Sequence, residues 1–373
     1  MSIMLEITSL RNGAVLNHRN GTETEDALEI KVEGVTTSQA EVKVNGIPAA
    51  KFDRLFSASV RLTKKVNRIL VESSDAFGER TQSITVVWDK KSTPRYSFFF
   101  DDCSFFLRAI AQSRPKSIFE EMFLRRLRSI HGKYGTKFTL NLFFHDDHHN
   151  FSISDFPVDY KAEFSANSDW LKMSFHAKSE FPDRPYQSSD SATLAADYDR
   201  VYHEVCRFAG ADSFIAPNVI HWAMTNPENF PVLKDRGVRC LTGAFLGGVS
   251  HIGEKHTLEV TDIGYHYEKD VAQYIKKAHC YYDRRFDLLL CDNLLCCNYL
   301  DIEDIRNCFQ ELKANPRDTI SLMSHEQYSY PDYFNYIPDH LDRIEEACRL
   351  ATEAGYRPIW LAQGLFGNMA WEE

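Results

Sequence analysis

Tyr96-Ser-Phe-Phe-Phe-Asp101-Asp102 is the stretch on which the reading of this chain turns. An aromatic run suited to a buried strand ends in two adjacent carboxylates, which a core does not accept without a positive partner. Two readings are open. In one, a metal ion sits beside the pair. Side chains alternate along a strand, so Asp101 and Asp102 point in different directions, and one can bind a cation while the other handles a proton. In the other, Asp101, Asp102 and Ser104 cap a helix that starts with Phe105-Phe106-Leu107.

Upstream of this stretch the pattern is β. Ala27-Leu-Glu-Ile-Lys-Val and Phe56-Ser-Ala-Ser-Val-Arg-Leu alternate, and Ala40-Glu-Val-Lys-Val runs into the turn Asn45-Gly46. Asn67-Arg-Ile-Leu-Val-Glu-Ser and Gln82-Ser-Ile-Thr-Val-Val-Trp88 follow. Short strands at this spacing predict an all-β sandwich domain over residues 1–90, with Asp89-Lys-Lys-Ser-Thr-Pro94 as linker. The segment resembles the immunoglobulin-like (Ig-like) modules fused to bacterial carbohydrate-active enzymes, which implies a structural role ahead of sugar binding.

Downstream, strands alternate with helices over residues 95–373, the pattern of an α/β protein with a parallel sheet or barrel. Ser117-Ile-Phe-Glu120 reads as a capping box for a helix ending at Gly132, and Leu194, Tyr198, Val201, Val205 and Phe208 mark another. Further helices are expected over Asp301 to Ala314 and His340 to Ala354. Strands are expected at Lys137 to Phe143, Trp170 to Phe175, Ser213 to Ile220, Val238 to Phe245, Phe286 to Leu290, Thr319 to Met323 and Arg357 to Leu361. With the Asp-Asp strand they predict a (β/α) barrel of seven or eight units. Gly247 to Asp283, which carries His251, His256, His266 and His279, reads as a long loop or lid.

Composition narrows the function. The chain has 373 residues, too many for one ordinary domain, and 43% of them are hydrophobic, enough for a sizeable core. A net charge of −10 without runs of one sign argues against nucleic acid or an anionic membrane as partner. No run of about 18 apolar residues is present, so no membrane span is expected. The absence of a secretory signal, together with nine cysteines in no spaced framework, suggests free thiols in a reducing, cytoplasmic setting. Cys291, Cys296 and Cys297 fall in or beside an apolar run and read as core thiols rather than ligands.

In a barrel, reactive groups gather where strands end. Here Asp101 and Asp102, His176, His221, Asp292, and His325-Glu326 all follow predicted strands. In this arrangement the chain resembles the polysaccharide deacetylases, the carbohydrate esterase family 4 or NodB-like fold. Phe99-Phe100-Asp101-Asp102-Cys103 stands where that family has Thr-Phe-Asp-Asp-Gly, Ser174-Phe175-His176-Ala177-Lys178-Ser179-Glu180 where it has His-Ser-x-x-His, and Ile320-Ser-Leu-Met-Ser-His325 fits its late Leu-x-His element.

The resemblance implies metal-assisted hydrolysis of an acetyl group on an N- or O-acetylated sugar or oligosaccharide, with Asp101 as general base and His325 as general acid. It implies Asp102 and His176 as ligands of a divalent metal ion, zinc first, with cobalt, nickel or manganese as alternatives. Glu180 stands in place of the family's second histidine, and His221 and His325 are the replacements if Glu180 points to solvent. The family's arginine that tethers the catalytic Asp is missing near Ile215-Ala-Pro217-Asn-Val-Ile-His221-Trp222, and Arg184 is a candidate for its charge. Arg184, Trp222, Glu326, Tyr328 and Tyr330 are assigned to substrate contact, the tyrosines as part of an aromatic loop interrupted by Pro331 and Pro338. These departures keep a second reading open, a decayed glycan-binding protein on the same barrel. His145-Asp146-Asp147-His148-His149 has the composition of a metal site but follows the second strand of the barrel, and reads as a solvated polar loop.

Overall fold

The computed structural model describes residues 4–76, 78–244, 250–252, 256–258 and 267–372 of a mixed α/β protein with several sheets. Its contacts divide the chain into two units. One takes in the chain up to Ser92, together with Cys280–Leu289 and the residues from Asn368 on; the other comprises Thr93–His279 and Leu290–Gly367.

The first unit holds two five-stranded sheets. In one, Leu28–Thr36 is flanked by Leu5–Ile7 and Leu55–Leu62; in the other, Val66–Asp75 and Gly78–Trp88 form a long antiparallel pair. Leu28–Thr36 buries every second residue, as a strand with one covered face must. Glu23 accepts the Trp88 indole N–H at 2.7 Å, and the Trp371 indole donates to the Trp88 carbonyl at 2.7 Å. Segments far apart in sequence are thereby fastened to one strand end.

In the second unit, Arg95–Cys103 is buried along its whole length. It lies between two parallel neighbours, Phe138–Phe143 and Thr319–His325. Leu171–Ala177 extends the sheet beyond the first neighbour and Leu295–Cys296 beyond the second. A central parallel strand has both faces covered, which is why the sequence there is aromatic without alternation. Among the described residues this hydrogen-bonded path does not close into a barrel.

Helices form over Ser191–Phe208, Ile302–Ala314 and His340–Glu353. The helix Met122–Tyr134 differs at both ends from the reading above. Glu121 caps it by accepting the Leu124 amide, while Ser117 caps the preceding 3-10 turn. The chain leaves it through Gly135 at φ 70°, where a left-handed residue is required, and Gly132 stays inside. No strand spans Ser213 to Ile220. Ser213 closes a 3-10 turn, and Phe214 makes a single bridge to Met173 before Pro217 removes a donor. The expected loop from Gly247 includes the helix Lys269–Ala278; residues 247–249, 253–255 and 259–266 of that expectation, and residue 245 at the end of the strand expected from Val238, lie outside the described residues. No helix among the described residues is long and apolar enough to cross a membrane.

Candidate metal centre

Two irregularities in the parallel sheet build the site. Phe100 pairs with Leu140 but Cys103 with Leu142, so Asp101 and Asp102 together occupy a bulge with one residue too many. Likewise Leu142 pairs with Phe175 but Phe143 with Ala177, and the extra residue is His176. Asp102 also takes a left-handed φ of 57°, which costs a non-glycine residue on the order of 1 kcal/mol. Strict alternation, which would have sent Asp101 and Asp102 in different directions, therefore fails here. Both carboxylates face the same ring, with Asp101 Oδ1 3.7 Å from His176 Nδ1 and Asp102 Oδ1 3.1 Å from His176 Nε2.

The third participant comes from a turn and not from a strand end. His221 opens the 3-10 turn His221–Ala223, where Trp222 and Ala223 take φ of 63° and 52°. Its Nδ1 lies 3.4 Å from Asp102 Oδ1 and 3.1 Å from His176 Nε2. Asp102, His176 and His221 are all buried and form a group able to hold a metal ion.

The residues fit such an ion on three counts. Asp102 Oδ1 is buried without an aligned hydrogen-bond partner among the described residues, a costly state for a carboxylate oxygen. The His221 Nε2–H donates to the Glu180 carbonyl oxygen at 3.3 Å, and His176 turns Nδ1 toward Asp101. The outer hydrogen bond on His221 thus directs its Nδ1 lone pair into the triangle, while His176 Nδ1, 3.7 Å from Asp101 Oδ1, is buried without a hydrogen-bond partner among the described residues. Finally, separations of 3.1, 3.1 and 3.4 Å match the edge of about 3.3 Å for a tetrahedral site with bonds of roughly 2.0–2.1 Å.

Electrostatics separate the two aspartates. Burial and the charge of Asp102 push the Asp101 carboxyl well above the usual range, against the pull of Asn141, whose amide donates to Oδ1 at 2.8 Å. Burial alone would raise Asp102 too, but the His176 and His221 imidazoles hold it well below the usual range. Burial brings His176 down to about 4, so its ring is neutral and available as a ligand. His325 is also lowered by burial. Its Nδ1 bonds Asn298 Oδ1 at 2.9 Å while Nε2 faces Asp102 Oδ2 at 3.9 Å, and Gln327 donates to that same oxygen at 2.9 Å.

Several expected residues fall elsewhere. Glu180 does not join the triangle: His148 Nε2 sits 2.5 Å from its carboxylate. Glu326 is fully buried, and its carboxylate accepts the amides of Ser104, Phe105 and Phe106 at 2.7, 3.1 and 2.6 Å. It thereby caps the helix Phe105–Ser113, the job considered for Asp101, Asp102 and Ser104; the Ser104 side chain makes no cap bond. Tyr330 is buried, with its hydroxyl on Glu121 at 3.0 Å, whereas Tyr328 packs 6.0 Å from the His325 ring. Arg184 lies over the Trp222 ring at 5.0 Å, and Asp292 pairs with His279 at 3.5 Å. The segment His145 to Asn150 is a polar turn exposed at Asp147, His148 and Asn150, as the sequence suggests, but it is anchored from within. Its Asp146 is 1% exposed and bonds the His148 amide and His149 Nδ1.

Asn141, Gln327 and Asn298 escaped the sequence reading. Asn141 left a signal, a lone amide inside an otherwise apolar strand, which is expensive unless it has a partner.

No family model matches the chain, and no curated protein matches it. Among solved structures, it is similar to a CE4 family pseudoenzyme from Bacillus anthracis, at 7% identity and a TM-score of 0.38 over 78% of this chain and 81% of that one. A mutant of that pseudoenzyme with restored enzymatic activity gives 8% identity and a TM-score of 0.37 over 78% and 84%. A family 123 glycoside hydrolase from Clostridium perfringens gives 10% identity and a TM-score of 0.25 over 91% and 75%. Scores of this size carry no functional inference, which therefore stands on the site's own residues.

Proposed function

We propose that this chain is a metal-dependent hydrolase that removes acetyl groups from an N- or O-acetylated sugar or oligosaccharide, on a NodB-like barrel preceded by an Ig-like unit. The observation that carries the reading is the buried convergence of Asp102 Oδ1, His176 Nε2 and His221 Nδ1, with Asp101 on one flank and His325 on the other. The sugar as substrate rests on the sequence resemblance. A divalent ion held by Asp102, His176 and His221, zinc in our reading with cobalt, nickel or manganese as alternatives, supplies Lewis-acid polarisation of the acyl oxygen.

The chain's own residues supply proton handling. Asp101, 3.7 Å from the His176 ring at the edge of the triangle, takes a proton from the attacking water as general base. His325 keeps one proton on Nδ1 toward Asn298; its Nε2, protonated from solvent before the attack, gives that proton to the leaving group, and the proton Asp101 took from the water returns to solvent as acetate leaves. Tyr328, beside the His325 ring, offers a face on which a sugar can stack.

A second reading, a glycan-binding protein that has lost catalysis, is favoured by one feature. Asp101 is held by Asn141 and not by an arginine, and burial and Asp102 favour its protonated form. Acetate release from a panel of acetylated sugars, with Zn2+, Co2+, Ni2+ or Mn2+ supplied, separates the two. Release that disappears in His176→Ala and in Asp101→Asn supports the hydrolase. Sugar binding without release from any member of the panel decides for the second.

A further inference from the structure

Residues 145–150 form a strap across the Glu180–Phe181 peptide. The His148 ring holds the Glu180 carboxylate at 2.5 Å. Beside it, Asp147 Oδ2 accepts the Phe181 amide N–H at 3.1 Å. The carbonyl oxygen between these two anchors receives the His221 Nε2–H. The strap is itself braced from within, because buried Asp146 accepts the His148 amide at 2.9 Å and lies 3.2 Å from His149 Nδ1. Its far side is tied down as well: His149 Nε2 lies 3.3 Å from Asp332, which Arg108 holds at 2.8 Å.

His221 needs this support more than the other two members of the triangle do. Asp102 and His176 project from strands locked in a parallel sheet, whereas His221 stands at the head of a turn whose next two residues are left-handed. Phe143 packs edge-on against the His221 ring at 4.9 Å, but two tautomers remain open to the imidazole, and an outer acceptor on Nε2 selects between them. That acceptor is the Glu180 carbonyl.

We propose that Asp147 and His148 are positioning residues for His221: by pinning the Glu180–Phe181 peptide they aim its carbonyl at Nε2 and so present Nδ1 to the metal. The inference rests on the metal-centre reading above and extends it to residues outside the triangle. Neither Asp147 nor His148 touches the triangle itself. Their effect travels through one peptide bond and one hydrogen bond, so it must vanish when His221 is absent.

The test is a Co2+ titration of the metal-free full-length chain, followed by visible absorption and chelator competition, with circular dichroism and a thermal melt to verify folding. Asp147→Ala and His148→Ala are expected to weaken Co2+ binding by about 10- to 100-fold, the usual cost of losing an outer-sphere partner. Asp147→Asn, which keeps an oxygen for the Phe181 amide, is expected to stay within a few-fold of wild type. In a His221→Ala background, whose weakened Co2+ affinity is read by extending the titration to millimolar Co2+, Asp147→Ala is expected to produce no additional loss, the signature of action through one shared partner. Strap variants that fold normally and bind Co2+ as wild type does would overturn the inference and leave the metal centre standing. Losses that add in full to that of His221→Ala would overturn it too. Wild-type protein that takes up no Co2+ would overturn both.

Discussion

Replacing Glu326 with alanine should cost folding stability. Its carboxylate takes three amides at the head of the helix Phe105–Ser113, at 2.7, 3.1 and 2.6 Å, in a site closed to solvent. Burial pushes the Glu326 carboxyl up to about 8, so near neutral pH the acceptor is mostly uncharged and each hydrogen bond contributes roughly 0.5–1.5 kcal/mol, while a buried donor left bare costs about 1–3 kcal/mol more. Three such bonds do not add in full, because water can enter the space the side chain leaves, so a loss of about 3 to 5 kcal/mol is expected. Glu326→Gln keeps one oxygen for Ser104 and Phe105 but turns an NH2 toward the Phe106 amide, and should lose about 1 to 2 kcal/mol. Urea unfolding followed by circular dichroism reads both: at an m-value of about 2 kcal/mol/M, the alanine midpoint falls by about 2 M. The reasoning is refuted if Glu326→Ala unfolds within about 0.5 kcal/mol of wild type, and a rise in KM at unchanged stability would restore Glu326 to the substrate.

Two further outcomes follow from buried polar contacts. The His340 ring bridges the hydroxyls of Ser324 and Ser329, and burial holds it neutral down to about 3. An unfolded histidine gains its proton near 6.5, so the unfolded chain binds the extra proton first, and stability present above about pH 6.5 should fall by about 1.4 kcal/mol per pH unit below it. His340→Gln should flatten that slope in urea titrations between pH 6.5 and 4.5, and an unchanged slope would assign it to other groups. Asn141→Leu removes the hydrogen bond that pulls the Asp101 carboxyl downward, so the acidic limb of a pH–activity profile should move to higher pH. A limb that stays in place would show that Asp101 is not the group whose ionisation it reports.

The sequence revealed the elements better than their irregularities. The aromatic strand before Asp101, the helix from Ser191 to Phe208 and the strand ending at His325 were all legible, because apolar runs and helical periodicity are local properties. Asp102 and His176 stood out as polar residues at the ends of apolar strands, and the resemblance to the deacetylases implied that they act together; the structure brings them within 3.1 Å. The bulges that turn Asp101 and Asp102 toward the same ring were not. A bulge is a register mismatch between two strands, and a single strand's composition carries little trace of it. Glu180 looked like a ligand from its spacing to His176, yet its partner is His148, from a loop 32 residues away in sequence. Glu326 was read as a rim residue for the same reason, since the helix start it caps lies more than 220 residues earlier.

Elemental mass spectrometry on the purified chain, after incubation with Zn2+ and removal of free ion, tests the metal centre most directly. Wild type and Glu180→Ala should each carry one divalent ion per chain, and Asp102→Ala, His176→Ala and His221→Ala should carry little or none. An ion-free wild type would contradict the account, as would an ion retained in full by all three triangle variants.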